Sequence, residues 1–368
     1  MAMKRLERRT AAIVAAASVA GAALVAVTSG GPVPSPVTRP CRGIPVAAGS
    51  DLSEVSAAEP PGTTFCLAAG EFNVATTVDF DPGDSIVGAG RDKTFIKPAG
   101  VAQPTNGFGS TDPTDTGTIT YAHLDIGGFT ADPASTSCDD ACGTAILNES
   151  APTGTLVLDD IQCHDNGTHC VGHGFGSVTM TNSECNHNGY HQDSLQLDFR
   201  SSACIKLSEG SLIVEGSFIH DNAFDGLWCD FCGNTHSRIE FNRIVHNGRS
   251  GVYWEMSGGF VAGDNIVIGN NVIQNNGWNC SPIVNDSGSY GSQLAAAITS
   301  EDGSNMLIES NMFGGNSACG EGGFRALKTY DGSRSGVVRD VTFRSNILNG
   351  DSADCATYGT VCSGSIGP

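Results

Sequence analysis

The sequence predicts an all-β solenoid, a parallel β-helix in which short strands stack coil upon coil. Three observations predict it: a composition made for strands and turns, a ladder of repeated segments, and one short phrase that returns on neighbouring repeats. Of 368 residues, 48 are Gly, while aromatics make up 7% and charged residues only 16%. Asn-Gly and similar turn pairs are frequent. Such a composition favours many short strands over helices. Beyond residue 30 no apolar period of 3.6 is sustained.

The ladder appears when the chain is aligned on its turn asparagines. The segments are LVLDDIQCHDNG, VTMTNSECNHNG, LIVEGSFIHDNA, IEFNRIVHNG, VIGNNVIQNNG, LIESNMFGGNS and FRSNILNGD. The turn column is Asn166, Asn188, Asn222, Asn247, Asn276 and Asn316, with Asp351 last. Three residues earlier stand Cys163, Cys185, Ile219, Ile244, Ile273, Phe313 and Leu348, and eight earlier Leu158, Met180, Val214, Ile239, Ile268, Ile308 and Phe343. The repeat runs from 22 to 40 residues because insertions enter at other corners. A single coil cannot bury its apolar side, so coils stack and like residues sit over like. Asn suits the turn because it tolerates left-handed φ and its amide can bond to the Asn above and below. Cys163 and Cys185 fall on adjacent coils of the inward column, either bonded to each other or stacked as small apolar thiols.

The returning phrase is DGLWCD (225–230) and SGVYWE (250–255), aligned with DSLQLD (193–198), AAITSE (296–301) and RALKTY (325–330). Alternate strand residues share a face. Leu195, Leu227, Val252, Ile298 and Leu327 then face the core. Gln196, Trp228, Tyr253, Thr299 and Lys328 face outward, as do Asp198, Asp230, Glu255, Glu301 and Tyr330. Four carboxylates at the strand spacing of about 4.8 Å repel and raise one another's pKa. Such a row calls for bound cations, shared protons or catalysis. Trp228 and Tyr253 supply flat faces that stack on sugars, Gln196 and Glu301 flank them, and Arg325 and Lys328 form a basic end. Together they describe a groove for a linear glycan. The plain alternative is a solvated acidic face, with Trp228 a packed surface aromatic. A weaker cluster of turn histidines, including His164, His187, His220 and His246, suits zinc or copper, though His is also ordinary at exposed turns.

The N-x-I-x-x-N and G-L-W-x-D rungs, with the opening FCLAAGEFNVATTVDFDPGDSIVGAGRDKTFIKPA, resemble the right-handed, single-stranded parallel β-helix proteins of the pectate-lyase-like superfold over about residues 60–350. GAGRDKT is read as a first rung, not a nucleotide loop, since no βαβ unit follows. The superfold hosts lyases, hydrolases, epimerases, tailspikes and adhesins, so the resemblance specifies the fold more than the activity.

Residues 1–30 carry a basic start and an apolar Ala/Val run, which read as a secretory signal, with Arg8-Arg9 hinting at twin-arginine export. An uncleaved anchor is the alternative. Residues 31–40 read as a Pro/Gly-rich linker, and 41–368 as the β-helix, capped at 41–75 and 351–368. No second apolar run is long enough to span a membrane. All 14 cysteines follow the leader, which implies an oxidising compartment. Local pairs are Cys41–Cys66, Cys138–Cys142, Cys280–Cys319 and Cys355–Cys362, and the CxxC of Cys229 and Cys232 is structural. The formal charge is −20, and the leader is +3, so the remainder is −23. That surface excludes nucleic acid as a partner.

The functional expectation is a secreted, monomeric protein acting on or binding a polysaccharide. As a lyase, the preferred chemistry, it would resemble calcium-using members of the superfold. Asp198, Asp230 and Glu255 would hold Ca²⁺, and Lys328 or Arg325 would take the proton. As a hydrolase it would use Asp230 and Glu255 as acid and base or nucleophile. The alternative is a non-catalytic extracellular module that binds glycan or a surface. The insertions expected to wall the groove are 199–210, 231–236, 256–265, 277–293 and 317–323.

Overall fold

A computed structural model describes residues 40–100, 106–110, 116–130, 143–148, 154–174, 176–190, 202–230, 232, 236–255, 266–279, 283–285, 288–290, 295–301, 305–318, 323–330, 341–355 and 360–365. The leader, most of the linker, Gln196, Asp198 and the pairs Cys138–Cys142 and Cys280–Cys319 lie outside the described residues.

A full coil contributes one strand to each of three parallel sheets. Among the described residues sheet I has 12 strands and sheets II and III have nine each. One full coil is Ser211–Glu215, Phe218–His220 and Asp225–Asp230. The next is Arg238–Glu240, Arg243–Val245 and Val252–Glu255. Within each sheet, neighbours are one coil apart in the chain. The fold is the expected right-handed parallel β-helix.

Both apolar columns take the expected register. Leu158, Met180, Val214, Ile239, Ile268, Ile308 and Phe343 pair in succession along sheet I, and all are fully buried. Cys163, Cys185, Ile219, Ile244, Ile273 and Phe313 do the same in sheet II. At the first coils the interior is filled by rings: Phe108 stacks on Tyr121 at 4.8 Å, with Phe80 edge-on to both.

The asparagine column is a continuous hydrogen-bonded ladder inside the corner between sheets II and III. Each Nδ2 donates to the Oδ1 of the next coil: Asn166 to Asn188, then Asn222, Asn247, Asn276 and Asn316, at 2.9–3.0 Å. Asn316 ends the run on the Asp351 carboxylate at 2.6 Å. The same oxygens accept backbone N–H groups, as Asn276 Oδ1 does from Asn247 at 2.9 Å. The expected reason for Asn, left-handed φ, is corrected. The left-handed residue is the one before it: Asp165, His187, Asp221, His246 and Asn275 have φ from 52 to 56°. The ladder asparagines are buried because the turn would otherwise leave donors and acceptors unpaired inside. A second ladder, not anticipated, lines the corner between sheets I and II through Asn242, Asn271, Asn311 and Asn346 at 3.0–3.1 Å. Ser183 and Ser217 extend it upward, Ser217 N–H donating to Asn242 Oδ1.

The Cys41–Cys66 and Cys355–Cys362 disulfides are as expected, and the CxxC cysteines Cys229 and Cys232, expected to be structural, are bonded to each other. Cys163 and Cys185 are register partners but are not bonded to each other. Cys163 bonds Cys170, and Cys185 bonds Cys204. In each coil the ladder turn brings the sheet II cysteine opposite the next strand, with Cα atoms 5.7 and 5.9 Å apart, inside the bridging range. These bonds close the corner within a coil.

Strands also close the ends. Ile44–Val46 begins sheet I, beside the helix Leu52–Ala57, whose first turn is capped by the Asp51 carboxylate at 2.9 Å. Val361–Ser363 ends it. Among the described residues no helix is long and apolar enough to cross a membrane.

Asn247 accepts from Asn222 Nδ2 and donates to Asn276 and to the Ile219 carbonyl. Asn247→Ala strands buried partners on both sides. The expected loss is about 3 kcal/mol, read as a lowered midpoint in denaturant unfolding. An unchanged midpoint would show that the ladder does not hold the coils.

Candidate functional site

The outer face of sheet III carries the returning phrase, and its register is as predicted. Leu227, Val252, Ile298 and Leu327 are partners, as are Trp228, Tyr253, Thr299 and Lys328. Asp230, Glu255, Glu301 and Tyr330 form the third row. The glycines recur for a steric reason: a Cβ on Gly226 would lie 2.5 Å from the Gly251 carbonyl oxygen, and one on Gly251 2.8 Å from that of Ala297. The backbones approach too closely there for any side chain.

One rung is corrected. The strand beside Asp225–Asp230 is Ala203–Leu207, inside a stretch expected as an insertion, and not DSLQLD. Ala203, Cys204, Ile205 and Leu207 are fully buried, and Cys204 is held to Cys185. Lys206 therefore pairs with Trp228 in the row where Gln196 was expected. Asp198 and Gln196 lie outside the described residues.

The second correction concerns exposure. Trp228 is only 8% exposed, Tyr253 3% and Thr299 0%, so the rings do not offer open faces to solvent. Cations cover them instead. Lys206 Nζ lies 4.3 Å from the Trp228 ring centre, and the Arg249 guanidinium stands 5.3 and 5.4 Å from the Trp228 and Tyr253 rings. Arg249 is itself buried and pairs with the buried Asp225 carboxylate, which also accepts from Ser250 N–H at 2.9 Å. Buried charges need such pairing to be tolerated.

The rings hold the acids. Trp228 Nε1 donates to Glu255 Oε2 at 2.9 Å, and Tyr253 Oη donates to Glu301 Oε2. Each donor serves the carboxylate one coil further on. Asp230 and Glu255 are half-buried, while Glu301 and Lys328 are buried at 8% and 7% exposure. Burial, then the Asp230 and Glu301 charges, push the Glu255 carboxyl up to about 8, against the opposing pull of Trp228 and Arg249. Glu255 thus keeps its proton at neutral pH beside a second carboxyl group. Arg325, expected at the basic end, pairs with Asp354 at 2.7 Å. Arg249, Lys206 and Asp225 went unnoticed in the sequence: Arg249 sits in a turn, and Lys206 in the stretch taken for an insertion.

Three of the turn histidines bind carboxylates, while His187 Nδ1 meets the Asn186 amide oxygen at 2.7 Å. His164 Nε2 meets Asp125 at 3.1 Å and its Nδ1 meets Asp165 at 2.6 Å. His220 bridges Glu184 at 3.2 Å and Asp221 at 2.6 Å, and His246 also pairs with Asp221. The hydrogen bond to Asp125 is the main reason His164 is raised to about 9. Burial works against the charge on His220, yet its two carboxylates outweigh it and raise the ring. Glu184 is lowered in return, chiefly by the His220 bond. Among the described residues no group of three or more His, Cys, Asp or Glu side chains is arranged to hold a metal.

No protein-family model matches the chain, and no curated protein matches it in sequence. Solved structures do match it. A protein of Geobacillus virus E2, ORF18, is 12% identical with a TM-score of 0.54, covering 88% of this chain and 60% of that one. The Agl-KA catalytic domain is 14% identical with a TM-score of 0.50, covering 87% and 60%. The A-module of the mannuronan C-5 epimerase AlgE6 of Azotobacter vinelandii is 14% identical with a TM-score of 0.45, covering 86% and 93%. At these identities the likeness is one of fold.

The histidine pairs set a pH window. His164 is raised in the fold, so its stabilisation is complete below about pH 6.5 and is lost as pH rises through about 9. His164→Ala should therefore lower the melting temperature most near the acid end of that window and progressively less above it. A difference that grows with alkalinity would overturn this assignment.

Proposed function

We propose that the acid row of sheet III is the catalytic end of a secreted glycan-active enzyme, with Asp230 and Glu255 as its carboxyl pair. One observation carries the reading. The two acids are register partners on adjacent parallel strands, both half-buried, and Trp228 fixes one of them. Strand spacing of about 4.8 Å is close to the short separation of retaining glycosidases, about 5 Å. Glu255, which keeps its proton at neutral pH, is the acid for the leaving glycosidic oxygen. Asp230 attacks the anomeric carbon as that bond breaks. Water then releases the sugar from Asp230 and gives its proton to Glu255. Trp228 and Tyr253 act as positioning residues through Glu255 and Glu301.

This reading places hydrolysis ahead of elimination. A row of acids disfavours a uronate chain, and Lys328 stands in the aromatic row, not among the acids. The hydrolytic step needs no calcium from Asp230 and Glu255, and Asp198 lies outside the described residues. A glycan platform on sheet III itself is disfavoured because Trp228 and Tyr253 are too covered to stack on a sugar. Secretion is supported by disulfides throughout the coils.

The test is a panel of neutral and uronate polysaccharides with Ca²⁺ or chelator, scored for reducing ends and for the ultraviolet absorbance of unsaturated ends. Reducing ends without absorbance are expected. Asp230→Asn and Glu255→Gln should each lower turnover at least about 100-fold with the fold intact. Turnover should fall as pH rises through about 8, where Glu255 loses its proton. Absorbance that appears only with Ca²⁺ would replace this reading with the lyase, and silence in both channels would remove catalysis.

A further inference from the structure

The corner outside the asparagine ladder carries a second feature that the acid row does not use. Tyr190 and Trp278 are 41% and 44% exposed, among the largest apolar side chains left open to solvent. Their rings stack at 6.4 Å and 19°, and His246 stacks on Trp278 at 5.8 Å and 24°. Each follows a glycine that follows a ladder asparagine, in the matching triplets NGY (188–190) and NGW (276–278). Gly189 and Gly277 have φ of 88 and 86°, and a Cβ on Gly189 would collide with Ser202 and one on Gly277 with the Ser317 carbonyl oxygen of the next coil.

Neither ring stays over its own coil. Tyr190 Oη donates forward to the Asp221 carbonyl at 3.0 Å, and Trp278 Nε1 donates back to the His246 carbonyl at 2.9 Å. The rings converge over the two coils between them. Their polar atoms are satisfied by backbone, which holds the half-open rings in a fixed orientation. Exposed aromatic surface gains when an apolar surface of similar size covers it. The rim carries polar pairs: Asp221 lies beside the rings, with Glu184 and Asp165 along the same corner, each bonded to a turn histidine.

We propose that this corner is a second binding site, a platform for a neutral hexose polysaccharide. The C–H face of a pyranose matches an aromatic ring, and rim carboxylates accept its hydroxyls. The net charge of −20 repels polyuronates and sulfated glycans. A protein partner would need about 800 Å², far more than three rings offer. The proposal stands whether or not the acid row is catalytic.

Tryptophan fluorescence reads this site directly. The chain has three tryptophans, and Trp228 and Trp254 are buried while Trp278 is open. Acrylamide quenching therefore reports Trp278. Soluble glucan, mannan and galactan are tested, with polygalacturonate as the anionic control. At least one neutral polysaccharide should protect Trp278, equally in wild type and in Glu255→Gln. Tyr190→Ala, checked for fold by near-ultraviolet circular dichroism, should weaken that protection at least severalfold. Folded Trp278→Ala should lose its retardation in gels containing the same polysaccharide. The proposal is overturned if no neutral polysaccharide protects, if polygalacturonate protects as well, or if protection survives Tyr190→Ala. Protection that rises with protein concentration alone would instead assign the rings to contact between copies.

Discussion

The hydrogen-bonded asparagine ladder is the interaction on which the rest of this structure depends. A coil that turns from sheet to sheet around a dry interior must leave backbone N–H and carbonyl groups at its inner corners. Nothing apolar can satisfy them, and water is excluded. An asparagine one coil above another solves this with one side chain, since its amide donates along the axis while its oxygen accepts from the coil before. The run from Asn166 to Asp351 does so without a break. Because each asparagine amide meets its counterpart on the next coil, a coil cannot slip against its neighbour without losing several buried hydrogen bonds. Register is thereby imposed on the strand that leaves the corner.

Imposed register has a consequence for chemistry. Like sits over like on the outside as well, so acids stack over acids on sheet III. In water such a row would be mildly unfavourable; half-buried it is more so. The structure offsets it diagonally. Trp228 and Tyr253 each donate to the acid of the following coil, and Lys206 and Arg249 bring positive charge against the rings. A proton held on Glu255 removes part of the remaining repulsion. The opening similarity of DGLWCD and SGVYWE thus has three causes: a glycine where backbones touch, an apolar residue for the core, and a donor placed for the next coil's acid.

Much of this was legible in the sequence, and the failures have physical reasons. The inward columns and the pairing of Trp228 with Tyr253 and of Asp230 with Glu255 were readable because burial forces apolar residues to recur at one position. The second ladder was present as the first Asn of each N-x-I-x-x-N rung, but one apolar column needs no such partner to be seen. Ala203–Leu207 was hidden because Leu195 and Leu197 mimic its alternation, and only the bond between Cys204 and Cys185 distinguishes them. Burial of Trp228 was one of two readings left open, since period reports which side a residue faces and not what lies over that side. Arg249 could have been found: it occupies the position after Asn-Gly that holds Tyr190 and Trp278 on other coils.

That one position takes opposite roles, and the ladder explains how. The residue after Asn-Gly stands where the chain leaves the corner to begin sheet III. Arg249 turns in toward Asp225 and ends against Trp228 and Tyr253. Tyr190 and Trp278 turn out and close over the corner. Both choices use the same backbone, because the buried asparagine and the left-handed residue before it fix the turn whatever follows. The strands between corner and acid row are six residues long at most, about 20 Å. A charge set at one end and a ring set at the other are then held at constant separation by a rigid, internally bonded frame. Function can vary at both ends without disturbing the interior that supports them.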